Sequence, residues 1–348
     1  MNNDLEKIKI KDRQLERKRR AIRKKKKARR RFYFVVALIV FLIFSTAIRK
    51  KQSRSTKKLE SNSDYVATLL KINMRENQDN PVNFNIKKDD VKGLSYIAEV
   101  RASRIKKKIV PGENHITAVS KYAYDTKWVR DITTGKIPYE GSKKLVFLTF
   151  DDGPNTTITP QILKTLKDNG ARATFFVVGR AINDKSSSVL KETLVDGNAI
   201  AMHSYTHDYQ LLYPGRTADS AQIIKEANLL NTKLKKYLGD DFHSSVWRYP
   251  GGHMSWDNTG SSDSALEGMD VVWIDWNCLS GDAEPKSVRP TTAEGMVNYL
   301  DKSLHQNEET RLAVVLMHDA MNKQHTADAL PSIISYFKER GYEFALLK

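Results

Sequence analysis

The chain has 348 residues and a formal charge of +17, with 58 Lys and Arg against 41 Asp and Glu. Residues 1–31 hold sixteen Lys and Arg against four acids and residues 32–58 hold six bases and no acid, so everything after residue 58 is close to neutral. This excludes a basic nucleic-acid binder for the bulk of the chain, and the single cysteine, Cys278, excludes an intramolecular disulfide.

The first predicted element is a basic arm over residues 1–31. Beside an apolar span its stretch KRRAIRKKKKARRR suits anionic lipid and membrane orientation, and no nucleic acid is expected as a partner. Residues 32–48, FYFVVALIVFLIFSTAI, carry no charge and are just long enough to cross a hydrocarbon core. The larger basic block precedes this span. The positive-inside tendency then predicts a single-pass anchor in the cell membrane, with residues 1–31 cytoplasmic and the rest extracellular. A cleavable signal peptide is the alternative, with Ser45 and Ala47 as small residues at a tolerable spacing. Residues 49–142 are polar and read as an extracellular stem or small accessory region, in which LSYIAEV and KYAYDTKWV are the segments able to form structure.

From residue 143 to 348 the texture is different. Short apolar runs at 144–150, 173–179, 198–204, 245–250, 271–276, 312–319 and 343–348 read as strands. Between them lie stretches with helical spacing, among them ITPQILKTLKDNG and SAQIIKEANLLNTKLKKYLG, several of which end at glycine. Strand followed by helix, repeated, predicts an α/β domain with a parallel sheet buried on both faces. Seven such strands can close into a barrel or lie open as a doubly wound sheet, and periodicity does not separate the two.

The reactive side chains collect at the C-terminal ends of these strands: Asp151 and Asp152, His203 and His207, Arg248, Asp275, and His318. Parallel α/β folds build their sites there. HSYTH spaces two imidazoles four residues apart, so on a helical turn both face one way and can share a metal ion. No acid stands between them, so a general base and a third ligand must come from elsewhere. TFDDGP can supply both, because a turn at Gly153 and Pro154 lets neighbouring carboxylates reach one point from different angles. A His/His/Asp set leaves positions open for water and substrate.

TFDDGP, HSYTH, RYPGG, WIDW and LMHD, in that order over residues 149–319, resemble the five motifs of the polysaccharide deacetylases, the NodB-homology or carbohydrate esterase family four. With its anchor, the chain is most similar to the membrane-bound peptidoglycan N-acetylglucosamine deacetylases of Gram-positive bacteria. The resemblance implies a distorted (β/α)7 barrel of parallel strands. It implies Asp151 as general base and Asp152, His203 and His207 as ligands of one divalent metal ion, usually zinc, with cobalt, manganese and iron suited to the same donors. It further implies that Arg248 orients Asp151, that Asp275 pairs with and tunes His318, and that His318 is the general acid. Trp276 and Leu316 would line the acetyl pocket. Many members carry an aromatic residue where this chain has Gly251, whose backbone N–H is the implied oxyanion donor, and Tyr249 is the residue expected to compensate. The implied activity is hydrolysis of N-acetyl groups on peptidoglycan or a related glycan, releasing acetate and hindering lysozyme. Deacetylation of another polymer (poly-N-acetylglucosamine, chitin oligomers or O-acetyl xylan) and an inactive wall-binding adaptor are the alternatives.

Overall fold

The computed structural model describes residues 107–306 and 310–348; the basic arm, the apolar span at 32–48 and residues 49–106 of the stem lie outside the described residues. No helix among the described residues is long and apolar enough to cross a membrane.

Residues 107–142 pack with the α/β body. A short strand, β1 (Ala123–Tyr124), pairs in parallel with the C-terminal β10 (Leu346–Leu347). The helix α1 (Thr126–Thr133) follows, capped by Asp125, whose side chain accepts from the Trp128 N–H. Ile116, Val119 and Val129 are all buried, which is why this segment is held rather than free.

The main sheet has eight parallel strands. Their order is β6 (Val272–Trp273), β5 (Val246–Trp247), β4 (Ala199–Met202), β3 (Ala173–Val177), β2 (Lys144–Asp151), β8 (Leu312–His318) and β7 (Cys278–Leu279), with β9 (Tyr342–Phe344) also paired to β2. Among the described residues β6 and β7 do not pair, so the sheet is a curled half-barrel with two open ends rather than a closed ring. The seven predicted strands are all present in some form; β1 and β7 are additional, and at two residues each they are too short to leave a period.

Helices cover the outside of the sheet. These are α2 (Ile158–Asp168), α3 (Ser187–Val195), the single turn α4 (Tyr209–Leu212), α5 (Ser220–Leu238), α6 (Gly260–Glu267), α7 (Ala293–Leu304) and α8 (Gln324–Glu339). The longest, α5, begins at an Asp219 side chain that accepts from Gln222 N–H and stops at Gly239, whose φ of +107° few other residues adopt.

Alternation along the strands divides the core in two. On β2, Val146, Leu148 and Phe150 join the large cluster beneath the helices, while Leu145 and Phe147 face a smaller inner cluster. Phe176, Ala201, Val246, Ile274, Leu312 and Val314 lie in that same inner cluster. β3 apart, where the step from Phe176 leads to Val178, steps of two toward the C-terminal end of each chain segment give Thr149 and Asp151, His203, Arg248, Trp276, and Leu316 and His318. The inner face is apolar at the bottom and reactive at the top.

Candidate active site

Register brings these residues together. Asp151 lies opposite Phe176 on β3 and opposite His318 on β8, and the His203 and Arg248 N–H groups donate to Val177 and Met202 carbonyls at the same level. The strand ends therefore open into one cavity of about 320 Å3 whose lining includes Asp151, Asp152, His203, His207, Gly251, Trp276, Leu316 and His318.

Asp151 is buried, and its Oδ1 accepts from Arg248 Nη1 at 2.9 Å. The same Nη1 reaches Thr149 Oγ1 at 2.7 Å, while Nε and Nη2 donate to the Ile274 and Asp275 carbonyls, and the guanidinium lies 3.9 Å from the centre of the Phe176 ring. Every face of this buried cation is answered. Burial pushes the Asp151 carboxyl above its ordinary range, and the Arg248 charge opposes that rise. The result is a carboxylate of raised proton affinity at the floor of the cavity.

Asp152 turns away from the strand with φ +83°, and its Oδ1 stands 3.2 Å from His207 Nε2 and 3.7 Å from His203 Nε2. Ligand atoms of the three residues all lie within 4.8 Å of one another. Because a carbonyl only accepts, the His203 Nδ1 hydrogen is the one given to the Arg248 carbonyl at 3.0 Å, which leaves the Nε2 lone pair free. Burial, with His207 beside it, lowers the His203 pKa to about 3, so the ring is neutral at ordinary pH. Two imidazoles and one carboxylate with open positions suit a divalent ion.

HSYTH is not helical here. His203 directly follows β4, Ser204 and His207 have φ of +62° and +53°, and the helix begins only at Tyr209. Left-handed backbone at non-glycine residues costs about 1–3 kcal/mol each and must be held from outside. Glu226, buried on α5, does so: its carboxylate accepts from the Tyr205 and Thr206 N–H groups at 2.9 and 3.0 Å and from the Thr206 hydroxyl at 2.6 Å.

Two expectations are corrected. His318 is paired with Asp282, not Asp275: Nδ1 lies 2.9 Å from Asp282 Oδ1, and the His318 N–H donates to the other oxygen at 2.8 Å. Burial disfavours charge on both partners, but their mutual attraction outweighs it, raising the His318 pKa and lowering that of Asp282. Asp275, one step out of phase with inward-facing Trp276, instead accepts the His253 N–H at 3.0 Å and so ties down the loop after Gly251. Tyr249 does not line the cavity either. It is one step out of phase with Arg248, is fully buried beneath the helices, and donates its hydroxyl to Asp263 at 2.8 Å. Gly251 does line the cavity, and no acceptor for its N–H is found among the described residues.

Asp282 and Asp319 are the residues that sequence reasoning missed. Asp319 is buried, with a carboxyl pushed up to about 7 by burial, and sits so close to Gly153 that a Cβ there would collide with it. It accepts from the Thr159 hydroxyl and supports the turn that carries Asp152. Its place beside His318 in LMHD was the available signal; Asp282, three residues past the end of β7, had none.

The polysaccharide deacetylase family model matches residues 139–270. The chain is 32% identical over 209 residues to a peptidoglycan-N-acetylglucosamine deacetylase of Bacillus cereus, an alignment covering 58% of this chain and 68% of that one. This chain belongs to the polysaccharide deacetylases. The structure of a Streptococcus mutans CE4 esterase is similar to the deacetylase with a TM-score of 0.66 at 42% identity, covering 70% of this chain and 99% of that one. The catalytic domain of a Eubacterium rectale peptidoglycan N-acetylglucosamine deacetylase matches with a TM-score of 0.50 at 27% identity, over 61% of this chain and 91% of that one. The deacetylase is thus a carbohydrate esterase of a family whose members use a divalent metal, and Asp152, His203 and His207 are the group in its described residues able to hold one.

Proposed function

We propose that this chain removes N-acetyl groups from N-acetylglucosamine residues of cell-wall peptidoglycan, releasing acetate and leaving free amines that hinder lysozyme. The observation that carries the chemistry is the pairing of Asp151 and His318 on adjacent strands across one cavity, each with its own buried partner. The peptidoglycan-directed relatives and the apolar span at 32–48 support the polymer and the place. In this reading residues 32–48 anchor the chain in the cell membrane with its catalytic part outside, beside the wall.

A divalent ion held by Asp152, His203 and His207, zinc in this reading, supplies Lewis acidity and lowers the pKa of a water molecule toward neutrality. Asp151 accepts the proton of the attacking water, and Arg248 keeps its Oδ1 in place. The acyl oxygen gains negative charge as the water oxygen bonds to carbon, and in this reading the Gly251 N–H donates to it. His318 then delivers its proton to the departing nitrogen, so that the C–N bond breaks to give acetate and an amine. Asp282 steadies the imidazolium until that moment. Trp276 and Leu316 give the acetyl methyl an apolar wall.

The test is acetate release from purified N-acetylated peptidoglycan by the full chain in detergent, with and without added zinc. Metal-dependent release is expected; release from O-acetyl xylan alone would move the assignment to that polymer.

A further inference from the structure

Gly251 leaves its stretch of the cavity wall without a side chain, and Tyr209 stands over the gap. A Cβ built on Gly251 would lie 3.4 Å from the Tyr209 hydroxyl and 3.1 Å from the Trp256 ring, and φ at Gly251 is +82°. The space is therefore already taken by aromatic groups from elsewhere in the chain. Tyr209 remains 44% exposed although rings hold it on two sides: His207 at 5.4 Å and Trp256 edge-on at 5.2 Å. Trp256 in turn stacks on Tyr213 at 4.0 Å and 9°, and its indole N–H donates to the Pro250 carbonyl at 2.8 Å. The platform is thus fastened to the same loop that presents the Gly251 N–H. Asp208 caps the turn on which Tyr209 sits by accepting from Gln210 N–H, fixing where the ring begins.

A half-exposed aromatic ring braced by two other rings in a cavity lining, with a hydroxyl at its tip, matches the two surfaces of a sugar. The C–H face of a pyranose is apolar and its rim is polar. Core packing does not account for a ring that is held by two others and still presents an open face to the cavity.

We propose that Tyr209 is a specificity-determining residue, stacking on the pyranose ring that carries the acetyl group. The inference rests on the cavity taking an acetylated sugar, as the proposed function holds, and not on which polymer supplies it.

The experiment compares wild type, Tyr209→Ala and Tyr209→Phe as full chains in detergent. Substrates are N-acetylated peptidoglycan, N-acetylglucosamine oligomers, O-acetyl xylan and 4-nitrophenyl acetate, which has no pyranose. Thermal melting and bound zinc serve as controls on folding. Tyr209→Ala is expected to lower kcat/KM at least tenfold on whichever sugar substrate wild type accepts, chiefly through KM, and to leave 4-nitrophenyl acetate hydrolysis within twofold. Tyr209→Phe is expected to restore most of the loss. Equal losses on sugar and aryl acetate, or no loss on sugar, would overturn the assignment. Wild-type activity confined to xylan would remove the peptidoglycan reading while Tyr209 is still judged on xylan. Activity on the aryl acetate alone would overturn both.

Discussion

Arg248 and His318 each hold a buried aspartate at 2.9 Å, Asp151 in one case and Asp282 in the other, on opposite sides of the same cavity. The two pairs differ in their cation. A guanidinium does not titrate near neutral pH, so the Arg248 side is a fixed charge that holds an otherwise reluctant carboxylate ready to accept a proton. An imidazole does titrate there, so the Asp282 side keeps a proton on His318 to a higher pH than a free histidine would. In the proposed mechanism one pair serves a base and the other an acid, and the difference lies in which partner is permanently charged. The pH profile should carry both signatures. Activity falls on the acid side as Asp151 becomes protonated, at a pH above the ordinary aspartate range. It falls on the alkaline side as His318 loses its proton, above the usual 6.5.

The comparison can be broken most severely at Asp151. Asp151→Asn removes the proton acceptor of the proposed mechanism and should lower kcat by about 10²–10⁴-fold, read as acetate release, with metal binding retained. A variant within tenfold of wild type would mean that the base lies elsewhere. A smaller effect sharpens the other side. Asp282→Asn withdraws the charge that raises His318, so the alkaline limb should move down toward 6.5, with kcat reduced about 10–100-fold at its optimum. Asp275→Asn should leave that limb where it is and lower kcat only several-fold by loosening the His253 loop. A limb that follows Asp275 rather than Asp282 would reverse the pairing described here. The smallest expected effect is on stability. Glu226→Gln weakens the charge-assisted bonds that hold the HSYTH turn and should cost about 1.5–3 kcal/mol by chemical denaturation.

Much of this was legible in the residues. The long runs at 144–150 and 312–319 are buried along almost their whole length, which is what a strand with the helix layer on its outer face and the inner cluster on the other requires. Asp151, Asp152, His203, His207, Arg248 and His318 come together because each stands at or shortly after the end of a strand of a parallel sheet, and such ends converge. Parity was also available and would have removed one candidate: adjacent residues of a strand face opposite ways, so Arg248 inward puts Tyr249 outward. The choice of partner for His318 was not available. Asp275 and Asp282 are seven residues apart on one irregular segment, and the strand between them, Cys278–Leu279, shows no period of its own.

The resemblance of its motifs implied Asp152, His203 and His207 as metal donors, and the sequence by itself determined the alternation of strand and helix and the face on which each long strand carries its reactive residue. These follow from local spacing and from burial on both sides of a sheet. The tertiary structure alone decided that the ring stays open between β6 and β7, that Asp282 takes His318 while Asp275 takes the loop, and that Tyr209 covers Gly251. Each of those depends on how a turn after one strand meets a turn after another, a distance that no spacing along the chain encodes.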